Sequence, residues 1–396
     1  MRPRAAGIVR GPALLALVCF SGCGGCGGCN GNPDAYPETL SFPPRSDWVV
    51  VELPKEVPTE PDPQGELEES IRRANQHGGK VLDPATVPAP LREELNQFLR
   101  DSFGTPGQPS ISGDEETTTL VAGLGLTSER LAAGSALFRS RCQECHGLAG
   151  DGRGPTAPWL TPHPRDFRTG AFKFTSTGKK PTRADLFRTL TNGLKPTAMP
   201  SFGMRTEDER DRLIDYVTYL SVRGKTELEV LRTLLVYGED GLSADVATDA
   251  ANVLKAELRA WAAAESQVIP ATPPTYADGS PEFSESIRRG QALFVDPKGG
   301  ACATCHTNYG REAKLQHDVW GTRLKPADLT EVRKKGGDAP EQLFRRIRGG
   351  IPPANMPAAT ALTDAQTWDV VHFLRALPYP DRLPDDVRAK AYGEGK

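Results

Sequence analysis

Apolar positions along the chain recur at helical spacing. Leu228, Leu231, Leu234 and Leu235 fall on one side of a helix, and a stronger run follows from Ala244 to Ala264. Shorter amphipathic stretches predict helices from Leu67 to Gln76 and from Pro90 to Phe103. Pro54, Pro58, Pro61 and Pro63 predict an extended start to the first of these regions, and Pro270, Pro273 and Pro274 close the later helical run as a linker. Two further stretches repeat one another. Leu186-Phe187-Arg188 through Asn192-Gly193 to Met199-Pro200 aligns with Leu343-Phe344-Arg345 through Gly349-Gly350 to Met356-Pro357, at a constant offset of 157. Upstream, Gly134-x-Ala136-Leu137-Phe138 matches Gly290-x-Ala292-Leu293-Phe294. Downstream, Tyr216-Val217-Thr218-Tyr219-Leu220 matches Val370-Val371-His372-Phe373-Leu374. The pattern predicts a duplicated unit of about a hundred residues, the size of a small domain.

The N-terminus reads differently. Arg2, Arg4 and Arg10 precede a short apolar stretch from Pro12 to Phe20, the pattern of an export signal over residues 1–22 and too short to span a bilayer. Phe20-Ser21-Gly22-Cys23 resembles the lipobox of bacterial lipoproteins, with Phe20 in place of the usual Leu; it makes Cys23 a lipidation candidate, the other reading being secretion without a lipid. Residues 23–47 begin with Gly and Cys and read as a flexible tether. Charge then divides the rest. Residues 36–126 carry 7 basic and 16 acidic side chains, 127–225 carry 17 and 10, 226–281 carry 3 and 9, and 282–382 carry 15 and 12. Basic blocks therefore alternate with acidic ones, which suggests modules that attract each other. The net charge of −3 gives no support to nucleic-acid binding. The predicted order is an acidic wrapping segment (48–126), a first domain (127–225), a helical connector and linker (226–281), a second domain (282–382) and a tail (383–396).

Each repeat carries Cys-x-x-Cys-His: Cys142, Cys145 and His146, then Cys302, Cys305 and His306. Positions i and i+3 share one side of a helical turn. Two thiols so placed bond covalently to the vinyl groups of one haem, and the adjacent His donates a ring nitrogen to iron. A zinc ribbon would need a second Cys pair near the first, which neither repeat has. A thioredoxin-like motif would need a βαβ setting, whereas these flanks read as helical. The second axial ligand comes from a short field. Beyond the initiator the chain has Met199, Met204 and Met356; Met199 lies 53 residues after His146 and Met356 lies 50 after His306, each followed by Pro. That match favours Met199 and Met356, with Met204 in reserve and better read as a packing residue. Thioether sulfur favours ferrous iron and, with both axial positions filled, leaves one-electron transfer as the expected chemistry.

Each repeat resembles a class I cytochrome c domain, over residues 127–225 and 282–382. The resemblance implies a mostly α fold in which the N- and C-terminal helices of each domain cross, Gly134 facing Tyr219 or Tyr216 and Gly290 facing Phe373. It implies two haem c groups. Gly154-Pro155 resembles the family's Gly-Pro, whose carbonyl accepts a hydrogen bond from the ligand His. The second unit departs here, with Thr307-Asn308-Tyr309-Gly310-Arg311 after His306. Arg165, in Pro164-Arg165-Asp166-Phe167, is a candidate partner for a haem propionate, the other reading being a solvated surface arginine, and Lys325-Pro326-Ala327-Asp328-Leu329 is its looser counterpart. His317 is a competitor to Met356, and His372, opposite Thr218 of the first unit, reads as a packed or partly exposed residue. The leading expectation is an exported, lipid-tethered periplasmic dihaem protein relaying electrons between a donor and an acceptor protein. The alternatives are a dihaem peroxidase with one open iron site, like the bacterial cytochrome c peroxidases, and a haem subunit of a larger respiratory complex.

Overall fold

A computed structural model describes residues 35–52, 79–276, 279–317 and 323–393. The export signal, the Cys23 lipidation candidate, the start of the tether and the helix expected from Leu67 to Gln76 lie outside the described residues.

The first described segment is extended and ends in strand β1 (Val49–Glu52), which pairs antiparallel with β2 (Lys80–Leu82), Val49 opposite Leu82. Helix α1 (Ala89–Phe103) buries Leu95, Leu99 and Phe103, its apolar stripe. Helix α2 (Glu115–Leu124) is capped by Asp114, whose carboxylate accepts from Thr117 N, and it ends at Gly125. Helix α3 (Ser128–Arg141), capped by Thr127, stops at Cys142, and the single turn α4 (Gln143–His146) follows. Helix α5 (Arg183–Asn192) and the 31-residue α6 (Glu207–Tyr237) each start in a capping box, Thr182 with Asp185 and Thr206 with Glu209. Then come α7 (Val246–Ala262), α8 (Pro281–Val295), the short antiparallel strands β3 (Gln316–His317) and β4 (Arg323–Leu324), α9 (Pro340–Gly349), α10 (Asp364–Ala376) and α11 (Asp385–Tyr392). Among the described residues no helix is long and apolar enough to cross a membrane.

Two apolar cores result. The first gathers Phe42, Leu95, Phe103, Leu131, Phe138, Tyr216, Tyr219, Leu254 and Trp261; the second gathers Ile287, Phe294, Phe344, Trp368, Phe373 and Val387. Helix α6, about 46 Å long at 1.5 Å per residue, is the axis of the first. From Leu213 to Leu234 it is buried on most sides, because α1, α3, α5 and α7 all contact it. This redraws three boundaries. The cut expected between 225 and 226 falls inside α6, so the connector continues the first domain. The acidic wrapping segment supplies core residues to that domain rather than only covering it. The expected tail forms α11, whose Val387 and Ala391 are buried in the second core.

The helix crossings show why each repeat opens with glycine. A Cβ on Gly134 would sit 2.2 Å from the Arg212 carbonyl oxygen and 2.9 Å from Tyr216 Cβ; one on Gly290 would sit 2.0 Å from the Asp369 oxygen and 2.9 Å from Phe373 Cβ. Only a residue without a side chain permits that approach. These contacts also correct the downstream alignment. Tyr216, not Tyr219, is the counterpart of Phe373, so the offset of 157 runs unbroken into the last helix and on to the capping threonines Thr206 and Thr363. Matching by likeness slipped three positions, because three residues bring a helix back to nearly the same side. His372 accordingly stands opposite Asp215, not Thr218.

Candidate functional site

In the first repeat, α4 sets the motif. Both Cys145 N and His146 N donate to the Cys142 carbonyl, at 3.1 and 2.9 Å, so the two thiols lie one turn apart. In the second, Cys302–Thr304 forms a tighter 3-10 turn entered through Ala301 at φ +50, and His306 N again donates to the Cys302 carbonyl at 2.9 Å. All four thiols are unbridged and half-buried. Burial pushes the Cys142 thiol up to about 12 and the Cys302 thiol to about 11. Both are neutral thiols at neutral pH. Among the described residues no cluster of three or more His, Cys, Asp or Glu could hold a bare metal ion.

His146 is buried, and its ring stacks on Phe167 at 4.5 Å with 19° between the planes. Its Nδ1 lies 3.0 Å from the Arg165 carbonyl oxygen. A carbonyl only accepts, so Nδ1 carries the proton and Nε2 keeps its lone pair. Burial lowers the imidazole pKa to about 4, outweighing the hydrogen bond that raises it. The side chain is therefore a neutral, oriented nitrogen donor. His306 repeats the arrangement: its Nδ1 lies 2.9 Å from the Ala327 oxygen, and burial again lowers its pKa.

The orienting carbonyl in the first repeat is thus that of Arg165, not Pro155. Gly154 N instead donates to the Cys145 oxygen at 3.2 Å, and a Cβ on Gly154 would lie 2.3 Å from the Glu144 oxygen, so this segment braces the back of the α4 turn. The partner missing from the second repeat is Ala327. The two loops are built alike. Asp166 Oδ1 accepts from Arg168 N and Asp328 Oδ1 from Thr330 N, both at 2.9 Å. Phe167 N donates to the Gly150 oxygen at 2.7 Å, and Leu329 N to the Tyr309 oxygen at 2.9 Å. The signal that could have found them is Pro-x-Asp, which begins 18 residues after His146 and 20 after His306. Arg165 itself is half-buried.

The methionine loops also share one frame. Gly193 (φ +67) and Gly350 (φ +69) end α5 and α9, and a Cβ on either would collide with the oxygen of Met199 or Met356, at 2.7 and 2.6 Å. Leu194 N donates to the Met199 oxygen at 3.2 Å and Ile351 N to the Met356 oxygen at 2.8 Å. One turn back, Phe202 N reaches the Leu190 oxygen at 2.8 Å and Ala359 N the Ile347 oxygen at 2.9 Å. Both methionines are half-buried, Met199 against the first core and Met356 against the second. Met204 is 99% exposed, which overturns its reading as a packing residue. His372 is buried, with Nδ1 2.8 Å from Ser286 Oγ. The backbone of His317 pairs with Arg323 between β3 and β4.

Paired thiols one turn apart and a neutral imidazole with a free Nε2 lone pair fit covalently held haem in both repeats. Comparison with known proteins agrees. Residues 129–217 match the family described as cytochrome c oxidase, cbb3-type, subunit III, and residues 287–378 match the family described as cytochrome c. The chain therefore contains two cytochrome c domains, which imply two covalently bound haem c groups with iron. No curated protein matches the chain. Among solved structures it is similar to a chain of the reducing HAO-like protein complex of Kuenenia stuttgartiensis, at 24% identity over 62% of this chain and 95% of that one, with a TM-score of 0.44.

Proposed function

From a chain with two cytochrome c domains, and hence haem-based electron transfer, we propose a carrier that passes single electrons between redox partner proteins outside the cytoplasm. The haem groups supply one-electron iron chemistry; the chain holds and tunes them. Cys142 and Cys145 in the first domain, and Cys302 and Cys305 in the second, carry the thioether bonds. His146 and His306 would give Nε2, and Met199 and Met356 sulfur, to the iron of their own domain's haem. The reading rests above all on the shared frame of the methionine loops, with equivalent hydrogen bonds at an offset of 157 in both domains. A sulfur ligand raises the reduction potential relative to bis-His ligation. Arg165 pairs with a propionate of the first haem.

The test is the visible and near-infrared spectrum of the oxidised holoprotein. Met199→Ala and Met356→Ala should each abolish one methionine-to-iron band and leave the other. Two unchanged spectra would refute the ligand assignment. The proposal extends to export with a lipid on Cys23, which a mature N-terminus beginning elsewhere, read by mass spectrometry, would overturn. The basic excess of residues 282–382, 15 basic against 12 acidic side chains, suits acidic partners through salt-sensitive encounters. Partner reduction should therefore slow as ionic strength rises. A haem subunit of a larger respiratory complex is a second reading, favoured by the description of the family that the first domain matches; co-purification with stable partner subunits would decide for it.

A further inference from the structure

The loop that presents the Arg165 carbonyl to His146 is not held by residues 127–225 alone. Asp166, the next residue, is gripped by Arg168: Nε lies 3.0 Å from Oδ1 and Nη2 2.8 Å from Oδ2. Arg168 is 5% exposed, and its remaining arm, Nη1, donates to Asp47 Oδ1 at 2.9 Å. Asp47 Oδ2 in turn accepts from Arg45 Nη2 at 2.9 Å, and that same nitrogen lies 3.6 Å from Asp166 Oδ2. Arg45 is anchored through its backbone, since its N–H donates to Glu227 Oε1 of α6 at 2.6 Å and its carbonyl accepts from Arg92 Nη2 of α1 at 3.1 Å. Gly224 makes room for this arrangement, for a Cβ there would lie 2.3 Å from Arg168 Cβ. Asp47 and Arg45 are themselves buried, and both come from the extended segment that leads into β1.

The second domain has the same loop without this support. Asp328 accepts from Thr330 N and Thr330 Oγ1, at 2.9 and 2.6 Å, and among the described residues no buried arginine pairs with its carboxylate. Two loops of one design therefore present their carbonyls to His146 and His306, one wired into a buried ion network and the other held locally. Ion pairs of this kind are rigid because each charge left without its partner is costly in the interior.

We propose that Asp47 is a positioning residue for the first haem: through Arg168 and Asp166 it fixes the Arg165 carbonyl on His146 Nδ1 and so sets the donor strength of that histidine. A firm hydrogen bond to Nδ1 makes Nε2 more basic and favours ferric iron. The buried carboxylate acts in the same sense. Loosening the network raises the reduction potential of the first haem and leaves the second unchanged. The inference rests on His146 being the iron ligand of the first haem, a premise tested separately by loss of that haem's low-spin spectrum in His146→Ala.

The experiment is a spectroelectrochemical titration of the full-length dihaem protein and of Asp47→Asn, with proton exchange at His146 Nδ1 followed by NMR. A variant lacking Cys302 and Cys305, both replaced by Ser, identifies the signals of the first haem. In Asp47→Asn, the oxidised-to-reduced ratio of that haem at fixed potential should fall about tenfold, equivalent to about 59 mV for one electron. Exchange at Nδ1 should quicken, the second haem should keep its potential, and Asp47→Glu should restore part of both effects. Unchanged potential and exchange in folded Asp47→Asn, or equal shifts in both haems, would overturn the proposal. If Asp47→Asn does not fold, Arg45→Lys carries the test: a smaller rise confined to the first haem supports the role, and no change refutes it.

Discussion

The two cytochrome c domains share a backbone frame but differ in what surrounds it. In the first, α3 and α6 cross with Asp215 completely buried between Arg130 and Arg183, Nε and Nη1 respectively lying 2.7 Å from its two oxygens. In the second, the matching positions are Ser286 and His372, and Ser286 Oγ also donates to Asp369 at 2.5 Å. Three residues beyond Tyr216 the first domain has Tyr219, whose hydroxyl donates to the Phe103 oxygen of α1 at 2.6 Å and whose ring meets Phe42 and Phe103. Its counterpart is Ala376, buried in the second core, to which α11 also contributes. The glycine crossing, the carbonyl on His and the methionine loop recur, as the proposed ligand roles of His and Met in both domains require. The polar contacts around them vary because several combinations satisfy the same buried groups.

Breaking the shared part should have the largest effect. Gly290→Val sets a branched side chain against the Asp369 backbone, and overpacking of this severity should cost about 3 kcal/mol or more. The absorbance-to-protein ratio should fall by about half, with the first haem retained; full haem content at an unchanged melting temperature would count against the crossing as described. Removing the first domain's own solution comes next. Asp215→Ala strands two guanidiniums that are each more than a third solvent-exposed, so solvation should limit the loss to about 3 kcal/mol in urea unfolding.

Acid sharpens the same contrast. Burial alone would raise the Asp47 carboxyl, yet the guanidiniums of Arg45 and Arg168 hold it well below the usual carboxylate range. A carboxylate whose folded pKa is depressed contributes stability above its unfolded value, near 4, and loses it as the pH falls further. The advantage of the native protein over Asp47→Asn, on the order of 2 kcal/mol at pH 7, should therefore shrink between pH 4 and 2. A gap that stayed constant over that range would show Asp47 to be protonated in the fold. The smallest effect belongs to Ser286→Ala, about 1 kcal/mol, measured by thermal unfolding of the holoprotein. A loss as large as that of Asp215→Ala would mean that the two crossings are not energetically different.

Local chemistry was legible without coordinates. Cys-x-x-Cys-His needs only one turn of chain to bring its thiols together, and the resemblance to cytochrome c domains implied the close helix crossing at Gly134 and Gly290. Repetition at an offset of 157 exposed the methionine loops for the same reason: each lies within one continuous stretch of sequence. What sequence reasoning misplaced depends on partners distant along the chain. The carbonyls of Arg165 and Ala327 carry no side-chain signature, and the register of α6 and α10 is invisible to likeness because a slip of three keeps the apolar side apolar.

By itself, then, the amino-acid order determined the helical class, the duplication and the covalent haem chemistry, all of which follow from residues within a turn or a loop of one another. Only the tertiary structure decided that residues 35–52 and 79–126 contribute to the first core, that α11 contributes to the second, and that Asp47 reaches the loop beside His146. Those outcomes depend on which buried charges and apolar surfaces meet across more than a hundred residues, and spacing along the chain does not encode such meetings.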